Sequence, residues 1–161
     1  MNGRVQDATL LVARLALAAA LLPTGIARAL NVSGFALTLA SAAIPFPNAV
    51  ATLAVMIQVF GPLCVLAGVM PRASGLALAA FALAMAPVLH PFWQYGGAAI
   101  VTERALFLAD LGLAGGFLVY ALMGPGAWSW QGWRRGAVAP RKAAPAARKR
   151  SGGRAPARAA A

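Results

Sequence analysis

Acidic residues are nearly absent from this chain, which has three Asp and Glu residues against 14 Lys and Arg residues in a length of 161. Charged residues make up only 11% of the sequence, whereas hydrophobic residues make up 61%. That balance excludes a soluble globular domain, because such a domain needs a much more polar surface.

Cysteine and histidine are also scarce, with one residue of each type. Cys64 alone cannot form an internal disulfide or a multi-cysteine metal site, and its apolar neighbours indicate a thiol in the core. His90 alone is a poor metal site, and haem ligation of the cytochrome b type needs two histidines. The sequence also shows no Gly-rich phosphate loop and no nucleophile–base pair. We therefore predict no metal site and no cofactor bound through a known motif.

Four long apolar stretches dominate what is present, and they cover residues 9–30, 49–69, 73–89 and 103–123. Each is close to the roughly 20 residues with which an α-helix crosses about 30 Å of hydrocarbon. Helices are the default in lipid, since an open sheet would leave its edge groups without hydrogen bonds. The sequence therefore predicts an all-α membrane protein in which a short N-terminus (1–8) precedes a four-transmembrane-helix bundle (9–133) in the lipid bilayer.

Residues 134–161 form a basic tail that carries nine of the Lys and Arg residues. The tail is rich in Ala, Pro and Gly and has nothing to bury, so we expect it to be disordered. The positive-inside rule places it in the cytoplasm together with Arg4, Arg14 and Arg72. The expected location is a bacterial-type inner (plasma) membrane, with a multi-pass chain and both termini cytoplasmic.

The N-terminus also has features of a signal peptide. Arg4 precedes an apolar run, and Ala27-Arg28-Ala29 resembles a cleavage site. Arg14 interrupts the run, which argues against cleavage. Removal of the first helix would leave three spans, with the tail still in the cytoplasm.

Sequence signals near the ends of the spans give three local expectations. Arg14, near the start of the first span, is expected to snorkel to the interface. Residues 35–43 are expected to form a short interfacial helix with Phe35 and Leu39 facing lipid, the alternative being a re-entrant segment. Thr102 is expected to cap the start of the fourth span.

Tryptophans flank the last two spans in a pattern typical of interface anchors, because indole rings prefer the level of the lipid headgroups. These anchors are Trp93 after the third span and Trp128, Trp130 and Trp133 after the fourth.

Small residues line part of the fourth span. Gly112 and Gly116 have the spacing that lets two helix backbones approach closely. We favour packing within the bundle as the reason for this spacing. The alternative is a homodimer formed through these two glycines.

Five polar side chains lie within the spans or at their ends, in the half of the bundle expected to face outward: Arg28, Gln58, His90, Glu103 and Asp110. Glu103 and Asp110 are nearly two helical turns apart and therefore share a face. Asp110 would be costly against lipid, so it should face the interior and be either paired or protonated. Arg28 is the natural partner and His90 the second. The cluster is either a structural pin for the bundle or the lining of a small site.

A series of short motifs runs from residue 9 to residue 130. They are Arg14-Leu15-Ala16, Gly25-Ile26-Ala27-Arg28, the glycines at 61 and 68, Leu89-His90-Pro91-Phe92-Trp93, Glu103 with Leu106-Phe107-Leu108, Leu111-Gly112-Leu113 and Gly124-Pro125-Gly126. Together they resemble the DoxX family. The His-Pro-Phe-Trp run and the Gly-Pro-Gly exit are the most specific of them.

The resemblance implies a small four-helix membrane protein. The family takes its name from a subunit of a quinone-linked thiosulfate oxidoreductase, also described as a terminal quinol oxidase subunit. Other members are tied to redox or thiol and oxidative-stress systems, often as membrane partners of soluble enzymes.

This chain departs from the family pattern at polar positions. Members usually carry Glu in the second span where this chain has Gln58, and often Lys-Asn in the fourth where it has Ala109 and Asp110. Arg28 stands where a Lys is found in the first span, which conserves the charge. The loss of Glu removes a proton carrier, and Asp110 can restore an acid one helix away.

The features are consistent with three functions. The first is a quinone-linked oxidoreductase subunit without its own redox cofactor motif, in which quinone oxygens approach Arg28, His90 or Gln58. Asp110, Glu103 or His90 would carry protons, and a soluble redox enzyme or another membrane subunit would supply electrons. The second is a non-enzymatic scaffold whose basic tail recruits a soluble partner. A small-solute transporter ranks last, and specific nucleic-acid binding is not predicted, because the tail lacks interleaved aromatics.

Overall fold

The computed structural model describes residues 3–138, and every regular element in that part of the chain is helical. The α-helices are α1 (Gly3–Leu30), α2 (Val32–Ser41), α3 (Pro47–Ala67), α4 (Pro71–Leu89), α5 (Ala98–Met123) and α6 (Trp130–Val138), with a 3-10 turn at Phe92–Gln94. Four segments are long and apolar enough to cross a membrane: α1, α3, α4 together with the 3-10 turn, and α5. The predicted all-α architecture with four spans is confirmed.

Successive spans run antiparallel, and each packs on the next one along the chain. Helix α1 packs on α3, α3 on α4 and α4 on α5, whereas α1 and α5 share only a small contact. The beginnings of α1 and α4 and the ends of α3 and α5 therefore lie at one end of the bundle. We call this the termini end, and we call the opposite end the distal end.

Helix boundaries differ from the sequence prediction at the beginnings of two spans. Helix α1 begins at Gly3, about two turns before the predicted start at residue 9. Helix α5 begins at Ala98, so Thr102 lies inside it and the predicted cap is wrong. The cap residue is Gly97 with φ 60°, a left-handed value that glycine adopts without steric cost.

The C-terminal region contains a helix that the sequence did not predict. Helix α6 begins after Ser129, whose Oγ accepts the N–H of Gly132 at 3.0 Å. It continues to Val138, so residues 134–138 are helical where a disordered tail was expected. The rest of that predicted tail, 139–161, lies outside the described residues.

The short helix α2 confirms that a helix lies between the first two spans, but its buried face is the opposite of the one predicted. Phe35 and Leu39 are 6% and 0% exposed, because they pack with Ala36 against α3. Leu37, on the other side of the helix, is 72% exposed. The expectation that Phe35 and Leu39 face lipid is therefore wrong.

The two glycines of the fourth span have different surroundings. A Cβ atom at Gly116 would lie 2.8 Å from the Leu17 side chain of α1, whereas nothing lies within 4 Å of the equivalent position at Gly112. Packing within the bundle thus accounts for Gly116 and leaves Gly112 unexplained. The homodimer stays a prediction.

The termini end is organised around Arg14, which is only 3% exposed. Its Nε donates to the carbonyl oxygen of Val65 at 2.9 Å, and its Nη2 donates to that of Leu66. Its Nη1 donates to the carbonyls of Pro125 at 3.2 Å and Trp128 at 2.8 Å. The expected snorkelling of Arg14 is therefore wrong, because the side chain turns inward to backbone acceptors.

The acceptors of Arg14 exist because helices end there. The last carbonyls of a helix have no intrahelical donor and carry the negative end of the helix dipole. Helix α3 ends at Ala67, the N–H of the next residue, Gly68, donates back to Val65 O at 3.1 Å, and the chain after α5 supplies the other two carbonyls. One guanidinium thus ties α1 to the ends of α3 and α5.

We predict that Arg14→Met lowers the free energy of unfolding by about 3 kcal/mol, because buried carbonyls lose a charged donor. Arg14→Lys should lower the free energy of unfolding by about half as much, because an ammonium group cannot reach acceptors on both sides as the planar guanidinium does. Reversible unfolding in mixed micelles measures both changes. Arg4→Met is the control, because Arg4 is exposed in the same helix. Equal stability of the Arg14→Met and Arg4→Met variants would contradict the prediction.

Candidate polar site

The polar side chains of four helices meet at one cavity of about 420 Å³ in the distal half of the bundle. We call it the polar cavity. Its polar lining consists of Thr24 and Arg28 from α1, Gln58 from α3, His90 at the end of α4 and Asp110 from α5. Glu103 is not in the lining but contacts His90. The structure therefore brings together all five polar residues singled out in the sequence.

One hydrogen-bond chain joins α1 to α3. Arg28 Nη1 donates to Gln58 Oε1 at 2.9 Å, and Gln58 Nε2 donates to Thr24 Oγ1 at 2.8 Å. Thr24 in turn donates to the carbonyl of Leu21 at 2.9 Å. Gln58 is 2% exposed, so its amide is satisfied at both ends by groups of α1. This chain fixes the guanidinium at the wall of the cavity.

Two residues of this arrangement, Thr24 and Phe35, were not predicted from the sequence to belong to it. Thr24 lies one turn before Arg28 on the same helix face, and this spacing could have identified Thr24 as a neighbour of Arg28 from the sequence. Phe35 of α2 carries its ring 4.5 Å from the Arg28 guanidinium carbon, a distance typical of a cation–π contact. No sequence signal pairs these two residues, because the contact depends on how α2 folds back on α3.

The second polar group is centred on His90. Its Nδ1 lies 2.9 Å from Glu103 Oε2, and its Nε2 lies 3.9 Å from Asp110 Oδ2. The expectation that Arg28 is the first partner of Asp110 is wrong, because the ion pairs among the described residues are both formed by His90. Arg28 donates one N–H to Gln58, and the cavity lies between the two polar groups.

The position of His90 follows from the local sequence. Helix α4 ends at Leu89, and the His90 N–H still bonds to Ala86 O at 3.0 Å before Pro91 prevents continuation. The 3-10 turn that follows packs on α5, where the Phe92 and Phe107 rings meet edge-on with centroids 5.3 Å apart. Phe107 is one turn after Glu103, so this aromatic contact holds α5 in register with His90.

The predicted interface anchors lie at both ends of the bundle. Trp93, at the distal end, is 55% exposed and also contacts Phe107 with ring centroids 6.2 Å apart. At the termini end, Trp128, Trp130 and Trp133 are at least half exposed. The exposed indoles are thus available to the lipid headgroups, as interface anchors must be.

The polar cavity opens on the surface between α1 and α5. Its lining includes Ala20 of α1 and Leu106 and Ala109 of α5, all of which are exposed. The contact between α1 and α5 is small, and Leu17 and Gly116 lie next to each other in the half nearer the termini end. Because Ala20, Leu106 and Ala109 are apolar and exposed, we expect this side of the cavity to face hydrocarbon in a bilayer, where a molecule dissolved in lipid would have access to the polar groups.

The polar cavity offers a fixed cation (Arg28), an imidazole (His90) and one carboxyl group (Asp110) beside apolar walls. Among residues 3–138, no group of three or more His, Cys, Asp or Glu is arranged to hold a metal ion. The arrangement can therefore bind a polar head by hydrogen bonds and exchange protons with it.

Known proteins similar to this chain are membrane proteins. The model of the DoxX family matches residues 9–91. The inner membrane protein YphA of Escherichia coli K12 is 28% identical over 127 residues, which are 79% of this chain and 91% of YphA. The inner membrane protein YqjF of the same organism is 28% identical over 127 residues, or 78% and 92% of the two chains. No solved structure matches.

Gly25 provides a test of how α1 and α3 position Gln58. A Cβ atom at Gly25 would lie 2.7 Å from the backbone oxygen of Gln58, so Gly25→Ala should push the two helices apart and lower the thermal midpoint. Gly112→Ala is the matched control, because nothing lies within 4 Å there. Replacing Gly by Ala in a helix normally stabilises by about 0.5–1 kcal/mol. A gain of stability in both variants would contradict the close approach at Gly25.

Gln58 itself should tolerate an acid better than an apolar residue. Gln58→Glu keeps an acceptor for Arg28, and the Thr24 hydroxyl can turn to donate to the new carboxylate, so we expect stability close to wild type. Gln58→Leu leaves the Arg28 guanidinium without its acceptor and should cost about 2 kcal/mol. Unfolding in mixed micelles compares the two variants. A Leu variant as stable as the Glu variant would show that the Arg28–Gln58 bond contributes nothing.

Proposed function

The chain belongs to the DoxX family and is a multi-pass inner-membrane protein, and we propose that its polar cavity binds the ring of a lipid-soluble quinone. In this proposal the protein is the membrane subunit of a quinone-linked redox system. A soluble enzyme or another membrane subunit supplies or removes the electrons.

The observation that carries the proposal is the convergence of polar groups on a cavity that opens to lipid. Polar side chains inside membrane spans are costly and need internal partners. In this protein the polar side chains come from α1, α3, α4 and α5 and surround one cavity. They do not close into a single ion-paired cluster with no space between them. The volume of about 420 Å³ is within the range of small-molecule sites.

The chemistry of the lining suits a quinone. Arg28 has further N–H donors beyond the one on Gln58, and these can donate to a carbonyl oxygen of the ring. Asp110 and His90, on the other side of the cavity, can give or take the protons that accompany quinone reduction and quinol oxidation. The apolar opening between α1 and α5 leaves room for the hydrocarbon tail.

Quinone content of the purified protein tests the proposal. Protein extracted from its native membrane in mild detergent should contain near-stoichiometric quinone by mass spectrometry after solvent extraction. Arg28→Ala should lower the quinone content at least about tenfold, because a hydrogen bond to a charged group contributes about 1.5–3 kcal/mol. Asp110→Asn should also lower it. Arg104→Gln should not, because Arg104 is exposed and outside the cavity lining.

Two controls separate this function from the scaffold hypothesis. An unrelated four-helix membrane protein gives the background of adventitious quinone, and a content no higher than that background would overturn the proposal. Truncation after Val138 leaves α6 in place and removes most of the basic tail. Quinone retention should survive this truncation, whereas a scaffold that acts through the tail would lose its partner.

A further inference from the structure

The His90 ring lies between two carboxyl groups of α5, and each of its nitrogens faces one of them. Nδ1 is 2.9 Å from Glu103 Oε2, and Nε2 is 3.9 Å from Asp110 Oδ2. Glu103 and Asp110 are about 10 Å apart along the helix axis, at 1.5 Å of rise per residue. The imidazole therefore fills the gap between two acids that are too far apart to exchange a proton directly.

The three side chains also lie in order between the polar cavity and the distal end of the bundle. Asp110 lines the polar cavity, whereas Glu103 lies outside the lining, near the beginning of α5 at the distal end. The side chains of Asp110, His90 and Glu103 have similar exposures of 21%, 21% and 25%, so their order follows from their positions along the bundle. The order from the inside outward is thus Asp110, His90, Glu103.

We propose that Glu103, His90 and Asp110 form a proton relay that connects the polar cavity with the distal surface of the bundle. The relay rests on the proposed quinone function for its purpose, because a quinone takes up or releases protons when it is reduced or reoxidised. It adds the route and the side of the membrane on which those protons are exchanged.

Each transfer is balanced within the three side chains. The Glu103 carboxyl group gives its proton to Nδ1 of His90, and the proton on Nε2 passes to the Asp110 carboxylate. Glu103 is left ionised, Asp110 neutral and His90 neutral, with its proton now on Nδ1. The first tautomer returns when Nε2 takes a proton from water and Nδ1 then releases its own proton to water or to Glu103, and no electron moves. The distance of 3.9 Å between Nε2 and Asp110 must shorten or be bridged by one water molecule.

The charges around Asp110 allow it to exchange a proton within the relay. Arg28 of α1 is the cation nearest to this group in the cavity lining, α3 contributes the neutral Gln58, and α4 contributes only His90. A close ion pair with Arg28 would hold Asp110 as a carboxylate and block the relay. The ion pairs among the described residues are both formed by His90, so no close ion pair with Arg28 blocks exchange between Asp110 and His90.

Deuterium exchange at Asp110 tests the relay without any quinone. Full-length protein in a lipid film is perfused with deuterated buffer at a pH where Asp110 is partly protonated, and the infrared band of its carboxylic acid is followed. The band is assigned by its loss in Asp110→Asn. His90→Gln and Glu103→Gln should slow the exchange at least about tenfold, since a positioned acid or base contributes about 10²–10⁴-fold to proton transfer.

Matched variants decide the outcome. Arg104→Gln removes the charge next to Glu103 without touching His90 and should leave the exchange rate unchanged. If the His90→Gln variant does not fold, the Glu103→Gln variant alone decides. Its side-chain amide can still hydrogen-bond with His90 Nδ1, so we expect this variant to fold. Wild-type exchange rates in a folded Glu103→Gln variant, or no band lost in Asp110→Asn, would overturn the relay. Either result leaves the quinone content, measured separately, as the test of the proposed function.

Discussion

The burial of Arg14 against four backbone carbonyls is the interaction on which the arrangement of the spans depends. Backbone carbonyls that are buried inside a protein need protein donors, and those where α3 ends and where the chain leaves α5 find one in Arg14. One guanidinium satisfies both sets and holds α1 against both segments. Asp7 adds to the same end by accepting the N–H of Ala127 at 2.9 Å. Since α1 and α5 otherwise share little contact, they are joined at the termini end and separate toward the distal end.

The polar cavity lies in the distal half of the bundle and is lined by residues of both α1 and α5. At the distal end the polar groups satisfy one another in two sets, Arg28 with Gln58 and His90 with Glu103 and Asp110. A bundle that needed only stability could join the two sets by a direct ion pair, which would close the space between α1 and α5. The sets instead remain on opposite walls of a cavity. This separation of cation and acid across one cavity supports the proposed binding of a polar molecule there.

The sequence was sufficient for the spans and for the identity of the polar residues, but not for their partners. Span length and apolar composition are properties of one helix, and a polar side chain within such a span stands out without knowledge of its neighbours. Partners depend on which faces meet. Arg14 finds acceptors 51 and 111 positions away, and Phe35 turns inward because α3 offers small residues there. The predicted start of α5 at Thr102 was wrong for a local reason. Gly97 adopts a positive φ and caps the helix, so α5 begins at Ala98.

Gln58 explains why the charges can remain apart. The family resemblance implies a Glu at this position, and a Glu beside Arg28 would form a close ion pair on one wall of the cavity. The neutral amide accepts from Arg28 at 2.9 Å without cancelling its charge, and Asp110 lines the same cavity without forming a close ion pair with Arg28. The acid that the family places on this wall is found on α5, where Asp110 faces His90. In the proposed function, these two departures from the family pattern place the cation and the proton-exchanging group on opposite walls of the cavity.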